Sequence, residues 1–284
     1  MAAPAAPAAA DAARVVVTGD PVVVSRLSAG YDGRLALEDV SFTIPSGRLL
    51  AIFGPNGGGK STLLKVLAGL LEPISGTVRI LGAVPGAAGP QIAYVPQAEL
   101  VDWAFPVTVW DVVMMGRYPR LGPVRRPSAA DRDAVAGALE RVGMAGHART
   151  QIGALSGGQR RRVFLARAFA ADPELYLLDE PVTGIDATTQ EDLMDLLEAE
   201  AAAGKTVIAT THDLACAAQR FSDVLALNRR LVAHGPSRLV IDRDVLAQTY
   251  GGHLLVLDGQ TVLLDDAHHH DQAPGGEQHH HDGR

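Results

Sequence analysis

A nine-residue segment, GPNGGGKST from Gly54 to Thr62, constrains the fold more than any other part of this 284-residue chain. It matches the pattern G-x-x-x-x-G-K-[ST], in which glycines let backbone N–H groups curl around phosphate oxygens. The apolar run LLAIF precedes it, and STLLKVLAGL continues from it with helical spacing. The sequence therefore predicts a strand, a phosphate-binding loop and a helix whose N-terminus adds partial positive charge.

The residue types of this segment suit a bound nucleotide. We expect Lys60 to reach the β- and γ-phosphates and Ser61 to ligate Mg²⁺. The remaining members of the predicted nucleotide site in this segment are Gly54, Pro55, Asn56, Gly57, Gly58, Gly59 and Thr62. A plain glycine-rich turn is the alternative, and it is disfavoured because Lys, Ser and Thr follow the glycines in the order that the pattern requires.

A second segment, LYLLDE, ends in two carboxylates. Four apolar residues lead to Asp179, which is placed to bind Mg²⁺ directly or through a water. Glu180 follows, and we expect it to orient and deprotonate an attacking water. Alone, the segment would be an ordinary buried strand with solvated acids at its end. The phosphate-binding loop in the same chain favours the catalytic interpretation.

A third segment, LSGGQ, opens the basic helical stretch RRRVFLARAFA. Backbone N–H groups of Ser156, Gly157 and Gly158 are predicted to form a second anion site at a helix N-terminus. Two phosphate sites in one chain can bind the same nucleotide in cis if the helical part folds over the core. Alternatively, each nucleotide is bound in trans, by one site from each of two chains that pair head to tail. These residues alone leave both arrangements open.

Apolar, β-rich runs alternate with helical patterns along the chain, which is typical of an α/β fold. The predicted strands are PVVVSRL, RLLAIF, GTVRI, QIAYV, LYLLD and TVIATT. The runs RLLAIF, LYLLD and TVIATT are almost continuously apolar, as expected for parallel strands covered on both faces. From Thr108 to about Phe169 the sequence carries no strand signal. In this region SAADRDAVAGALERVG predicts a helix capped by Ser128 with Asp131 three residues later. A helical insert is therefore predicted within an α/β core.

These three segments, in this order, resemble those of the ATP-binding subunit of an ABC transporter, over roughly residues 21–250. The resemblance implies a P-loop NTPase core of ABC type over 20–265, with an antiparallel β subdomain and a helical subdomain insert at about 98–170. It implies ATP and Mg²⁺ as ligands. In that family two subunits sandwich two ATPs, each between the phosphate loop of one chain and the signature motif of the other. The resemblance thus implies a head-to-tail homodimer and adds Gln159 to the signature residues that contact nucleotide.

Further positions are assigned by the same resemblance. Tyr31 in AGYDGRLAL resembles the aromatic residue that stacks on adenine, with a core or turn tyrosine as the alternative. Gln97 in YVPQ resembles the glutamine that approaches Mg²⁺ and the attacking water. His212 in ATTHD resembles the histidine that contacts the γ-phosphate, although a structural histidine is commoner at a strand end. Asp186 in TGID resembles the aspartate of a loop that crosses the dimer interface, and Gly58 stands where alanine is commoner.

Composition excludes some functions and bounds others. A net charge of −7 disfavours nucleic-acid binding, and the single cysteine, Cys216, permits no internal disulfide. No apolar run approaches the ~20 residues that a spanning helix needs. The start, MAAPAAPAAADAARVVV, superficially resembles a signal peptide, but it has no basic residue before Arg14 and contains two prolines. We predict a disordered extension over 1–19 and a location at the cytoplasmic face of a membrane, bound to permease subunits.

The insert begins with DWAFPVTVWDVVMMGRYPRLG, which resembles the group that serves manganese, zinc and ferrous-iron importers and is close to iron-chelate importers. This similarity implies a transmembrane permease and, indirectly, a metal-binding solute-binding protein. VVMM suits core packing or an exposed coupling helix.

Two other functions stay open: a soluble ABC ATPase outside transport, and a metal buffer. Against the first, the core carries no long coiled-coil insert and no second ATPase.

The chain ends in HHHDQAPGGEQHHHDGR, which follows two aspartates. Its two histidine triplets are His268, His269, His270, His279, His280 and His281. Neutral imidazoles suit Zn²⁺, whereas Mn²⁺ prefers carboxylates and water, so the tail favours zinc over manganese, with ferrous iron behind. The composition of 266–284 cannot bury a core and predicts disorder without metal. A solvated end, residual cloning sequence and a role in efflux are the alternatives.

Overall fold

The computed structural model describes residues 19–97, 106–122, 125–251, 254–257 and 260–263. The predicted disorder of the N-terminal extension and of the histidine-rich tail lies outside these residues, apart from Gly19. The first residues of the predicted insert, 98–105, also lie outside them. Among the helices of the described ranges, none combines the length and the apolar character that crossing a bilayer would require.

A six-stranded sheet with the order β5-β6-β7-β3-β8-β9 forms the centre of the molecule. Its strands are β5 (Ile92–Val95), β6 (Leu175–Leu178), β7 (Thr206–Thr210), β3 (Leu49–Phe53), β8 (Asp223–Asn228) and β9 (Arg230–Pro236). The first five are parallel and β9 runs antiparallel to β8. The three runs that the sequence marked as continuously apolar are β3, β6 and β7, and every residue in these three strands is buried.

A second sheet of three antiparallel strands lies over one face of the first. β1 (Val22–Tyr31) pairs on one side with β2 (Arg34–Ile44) and on the other with β4 (Ser75–Ile80). The turn between β1 and β2 holds Asp32 at φ 49° and Gly33 at φ 75°, which suits the right-handed twist of a two-residue hairpin. This turn places Tyr31 opposite Arg34 at the end of the hairpin.

Nine α-helices lie in the described ranges: α1 (Lys60–Leu67), α2 (Val109–Met114), α3 (Tyr118–Leu121), α4 (Ala129–Arg141), α5 (Gly157–Ala171), α6 (Ala187–Ala202), α7 (Leu214–Arg220), α8 (Ser237–Val240) and α9 (Arg243–Tyr250). A hairpin of β10 (Leu254–Leu257) and β11 (Gln260–Leu263) follows. The α/β core of P-loop type, the antiparallel β sheet and the helical insert are thus all present, and the predicted fold class is confirmed.

Two apolar cores cover the two faces of the central sheet. Alternate residues of β3 point into different cores. Leu49, Ala51 and Phe53 belong to the core that contains the helical insert. Leu50 and Ile52 join the core that contains α1 and the antiparallel sheet. Because side chains alternate along a strand, only an apolar run without polar interruption satisfies both cores.

The helix that the sequence predicts after Ser128 is present as α4. Ser128 Oγ accepts from the Asp131 N–H at 3.2 Å, and Asp131 Oδ2 accepts from the Ser128 N–H at 2.9 Å. Val135 and Leu139 are buried, and Gly143 at φ 66° follows the helix end. These contacts form a reciprocal capping box at the start of α4.

The VVMM run packs mainly into the core. Val112, Val113 and Met114 are buried, and only Met115 is exposed, at 39%. The core-packing alternative therefore holds for the first three residues, whereas Met115 and the half-exposed Tyr118 lie at the surface.

The insert is tied to the central sheet through a buried carboxylate. Glu200 on α6 accepts from Arg141 of α4 at 2.6 Å and from the Tyr176 hydroxyl of β6 at 2.9 Å. Burial raises the pKa of Glu200, but hydrogen bonds from Arg141 and Lys205 outweigh that effect and lower it. The ionised carboxylate thus joins α4, α6 and β6.

Candidate active site

The phosphate-binding loop lies between β3 and α1 and packs closely against neighbouring backbone. A Cβ on Gly54, which has φ 154°, would lie 1.9 Å from the Leu227 carbonyl oxygen. A Cβ on Gly59, at φ 95°, would lie 2.7 Å from the Ala36 carbonyl oxygen. At Gly58, the position where alanine is commoner, a Cβ would lie 2.9 Å from the Pro55 carbonyl oxygen. Glycine is therefore required at the first two positions and favoured at the third.

The loop opens onto a cavity of about 400 Å³. It is lined by Ala36, Asn56, Gly57, Gly58, Gly59, Lys60, Ser61, Thr62, Gln97, Glu180 and His212. Residues from five separate segments of the sequence thus meet at one place. Four of these segments follow the carboxyl ends of parallel strands, where ligands bind in open α/β sheets.

Lys60 lies at the bottom of this cavity and is only 7% exposed. Its Nζ donates to the carbonyl oxygens of Gly54 at 2.8 Å and Pro55 at 3.0 Å. Burial lowers the pKa of Lys60, and the charges of Glu180 and Asp179 oppose that effect. A buried ammonium that faces a polar cavity is suited to an anionic ligand, because the anion offsets the cost of its desolvation.

Glu180 and His212 meet in this cavity from the ends of β6 and β7. His212 Nε2 lies 2.5 Å from Glu180 Oε1, and the Glu180 side chain is nearly buried. Glu180 has φ 51°, a left-handed conformation that is uncommon for a side-chain-bearing residue. Its N–H donates to Thr210 Oγ1 at 2.8 Å, which helps to hold this conformation. A strained backbone at a carboxylate is typical of functional sites.

Asp179 lies behind the cavity and is 3% exposed. Thr210 Oγ1 donates to Asp179 Oδ1 at 2.6 Å, so one threonine positions both acidic residues. Ser61 and Gln97 line the cavity itself. A hydroxyl, a carboxamide and a carboxylate are oxygen donors of the kind that Mg²⁺ takes, so these three residues fit the predicted ion.

Arg161 is a site residue that the sequence reasoning missed. It lies on α5, two residues after the LSGGQ segment. Its Nη1 donates to the Pro96 carbonyl at 2.7 Å, and its Nη2 donates to the carbonyls of Glu180, at 2.6 Å, and Asp179. The guanidinium therefore joins the signature helix to the ends of β5 and β6. The basic run after LSGGQ was visible in the sequence, but nothing in it distinguished Arg161 from Arg160 and Arg162.

The LSGGQ residues lie away from this cavity. Ser156 and Gly157 are exposed at the start of α5, and neither Ser156–Gly158 nor Gln159 is among the residues that line it. Ser156 and Gln159 form a capping box, in which Gln159 Oε1 accepts from the Ser156 N–H at 2.9 Å. One of the three predicted anion-binding N–H groups therefore already has a partner within the chain.

Asp186 caps α6 beside the LSGGQ segment. Its carboxylate accepts from the Thr189 N–H at 3.0 Å, and this hydrogen bond lowers its pKa. A Cβ on Gly158 would lie 3.2 Å from the Gly184 carbonyl oxygen, so the two loops are neighbours. The exposed loops at Ser156 and Asp186 thus form one surface.

Tyr31 lines a second cavity, of about 620 Å³, together with Asp32, Arg34, Leu35, Ala36, Gly57 and Arg229. Ala36 and Gly57 line both cavities. Tyr31 is 44% exposed, so it is not a core tyrosine. Lys65 Nζ lies 5.6 Å from the centre of its ring.

A model of the ABC transporter family matches residues 37–183, slightly more than half of the chain. The chain belongs to the ABC transporter family. It is 44% identical over 237 residues to the manganese transport system ATP-binding protein MntB of Bacillus subtilis (strain 168), with 84% of this chain and 95% of that protein covered. It is 43% identical over 242 residues to the zinc transport system ATP-binding protein TroB of Treponema pallidum (strain Nichols), with 85% and 91% covered.

Solved ABC proteins have the same fold. An ABC transporter solved in an inward-facing conformation is 28% identical, with a TM-score of 0.72, and 87% of this chain and 98% of that chain are covered. CbiO1 of Clostridium perfringens, part of the ABC transporter complex cbiONQ, is 28% identical with a TM-score of 0.66 and coverage of 81% and 94%. The predicted family is confirmed, and the chain is the nucleotide-binding ATPase subunit of an ABC transporter.

Proposed function

We propose that this ATPase powers the import of a divalent transition metal, manganese or zinc, through a separate transmembrane permease. The observation that carries the proposal is the identity of 44% and 43% to proteins named for manganese and zinc transport, each over more than four fifths of this chain. The proposed location is the cytoplasmic face of the membrane, with a metal-binding solute-binding protein delivering metal to the other side. An iron or iron-chelate importer and a soluble ABC ATPase are the alternatives.

ATP hydrolysis is assigned to the cavity around Lys60. Lys60 and the loop N–H groups bind the β- and γ-phosphates, while Ser61, Gln97 and Asp179 are the proposed holders of Mg²⁺. When bound there, Mg²⁺ would neutralise charge on the phosphate oxygens. Water attacks the γ-phosphorus, the bond to the bridging oxygen breaks, and the water proton goes to Glu180. His212, 2.5 Å from Glu180 Oε1, orients the carboxylate for this transfer.

A head-to-tail homodimer is proposed as the active form. Ser156 and Gly157 are exposed, and Ser156–Gln159 does not line the cavity of its own chain, so in this arrangement a phosphate bound at Lys60 meets the segment on a second copy. The neighbouring loop at Asp186 would then lie at the same interface. In this arrangement the phosphate competes with Gln159 Oε1 for the Ser156 N–H.

Metal uptake in cells tests the transport proposal. The gene is deleted, and cell manganese, zinc and iron are measured by mass spectrometry after growth in limiting metal. Manganese or zinc content should fall, and the wild-type chain should restore it, whereas the Glu180→Gln variant should not. A fall in iron alone, or unchanged content of all three metals, would contradict the proposal.

The histidine-rich tail is proposed to bind Zn²⁺ and to sense or buffer it without taking part in ATP chemistry. Imidazoles titrate near pH ~6.5, so binding should weaken below about pH 6 as they protonate. Removing residues 266–284 should leave basal ATPase activity unchanged and abolish most Zn²⁺ binding in calorimetry at about pH 7.5. Equal Zn²⁺ binding by the truncated and full chains would reduce the tail to a solvated end.

A further inference from the structure

We infer that Arg229, in the turn between β8 and β9, binds the nucleoside end of ATP beside the phosphate-binding loop. The inference rests on nucleotide binding around Lys60 and adds a residue to it. Arg229 and Tyr31 line the same 620 Å³ cavity, and Arg34 adds a second guanidinium there.

The two cavities are adjacent. Ala36 and Gly57 line both of them, and Gly57 belongs to the phosphate-binding loop itself. A nucleotide whose triphosphate is held at Lys60 therefore extends past Gly57 into the second cavity. The part of ATP that lies beyond the phosphates is the ribose and the base, so these groups meet Tyr31 and Arg229.

The backbone of Arg229 is held in place by its neighbours. Arg229 has φ 59°, its N–H donates to the Gly58 carbonyl at 2.9 Å, and its own carbonyl accepts from the Glu38 N–H at 2.8 Å. The turn is thus anchored to the phosphate-binding loop on one side and to β2 on the other. A side chain that starts from such a turn loses little backbone entropy when it binds a ligand.

The guanidinium is held as well, yet it stays accessible. Arg229 Nη2 donates to the Leu35 carbonyl at 2.8 Å and lies 3.3 Å from Glu38 Oε1, while the side chain is 53% exposed. An arginine side chain offers five N–H donors, and its planar group also stacks on aromatic rings. It therefore has further donors and a flat face for the oxygens and ring nitrogens of a nucleoside.

Arg230 is a matched control next to it in the chain. It pairs with the same Glu38, at 2.9 Å from Oε2, and is 72% exposed. However, it is not among the residues that line either cavity. The two arginines thus share an acidic partner and differ in their access to the nucleotide.

The test compares two ligands on the full chain: the non-hydrolysable ATP analogue AMP-PNP and inorganic tripolyphosphate, which has no nucleoside. Calorimetry gives both dissociation constants for the wild type and for Arg229→Ala, Arg229→Gly, Arg230→Ala and Lys60→Ala. The glycine variant keeps the positive φ without strain, so it separates loss of the guanidinium from damage to the turn.

Loss of a charged hydrogen-bonding group should weaken AMP-PNP binding about tenfold in both Arg229 variants. Tripolyphosphate binding should change by less than about twofold, because its contacts are at Lys60. Arg230→Ala should leave both ligands unaffected, and Lys60→Ala should weaken both. An equal loss of affinity for the two ligands in the Arg229 variants, or no loss of affinity for AMP-PNP, would overturn the inference. A wild type that binds neither ligand would overturn the nucleotide site itself and the role of Arg229 with it.

Discussion

At the scale of single residues, the carboxylate of Glu180 is the group on which hydrolysis depends. Its side chain is nearly buried and contacts His212, and its backbone is left-handed. In Glu180→Gln, ATP hydrolysis should fall by ~10²–10⁴-fold, because the amide cannot accept the water proton. ATP binding should persist, and the ATP-bound dimer should accumulate in light scattering. Glu72→Gln, at an exposed position, is the control, and near-normal steady-state turnover in Glu180→Gln would remove this residue from the role.

Arg161 is expected to act on the same step through Glu180, as a positioning residue. It donates to the carbonyls of Pro96 and Glu180, and hydrogen bonds from a charged donor are stronger than neutral ones. In Arg161→Ala, kcat should fall roughly tenfold or more while KM for ATP changes little. Arg161→Lys should recover part of the loss.

Arg162→Ala is the matched control for that experiment, since Arg162 lies on the same helix and donates to the Val142 carbonyl of the insert. Steady-state kinetics of Arg161→Ala, Arg161→Lys and Arg162→Ala separates an effect on kcat from an effect on KM. A rise in KM at unchanged kcat, or an equal loss of kcat in Arg162→Ala, would exclude the positioning role.

At the scale of secondary-structure elements, the start of α4 depends on Asp131. Hydrogen bonds from Ser128 lower the pKa of Asp131 to about 2, and an ion pair with Arg117 at 2.9 Å acts in the same direction. A lowered folded-state pKa stabilises the fold above the usual aspartate value near ~4, and this contribution is lost as the pH falls toward about 2.

Asp131→Asn should therefore destabilise the protein by about 1 kcal/mol or more near neutral pH. The difference from wild type should narrow between about pH 4 and pH 2. Urea unfolding followed by circular dichroism measures both. Asp133→Asn, at an exposed position on the same helix, should show neither effect. A difference for Asp131→Asn that is independent of pH would contradict the ionised cap.

At the scale of the whole molecule, hydrolysis should require two chains. Ser156→Arg places a bulky cation on the exposed signature segment and should keep nucleotide binding while it blocks dimer formation. Lys60→Ala should lose nucleotide affinity. A mixture of the two variants forms at most one competent composite site, so its activity should stay below that of the wild type. Wild-type ATPase activity in Ser156→Arg would exclude the trans arrangement.

The sequence by itself determined the parts of this protein whose chemistry is local. The GPNGGGKST loop, the apolar strands that precede it and Asp179, and the capping box of α4 all follow from residues adjacent in the chain. It was also foreseeable that β3, β6 and β7 are strands of a parallel sheet, because such strands are buried on both faces and are therefore apolar throughout. β2, β8 and β9 were not among the predicted strands, and β2 and β9 have the mixed polarity that partial exposure permits.

Only the tertiary structure decided how distant segments meet. The pair of Glu180 and His212 spans 32 residues, and Arg229 reaches Gly58 from the turn that follows the neighbouring strand β8. Arg161 and Arg229 were missed for one physical reason, which is that both bind backbone carbonyl oxygens. Every residue carries a carbonyl, so such a partner leaves no pattern in the sequence. The fold alone determines which carbonyls lie within reach of a guanidinium, and thereby which arginine serves the site.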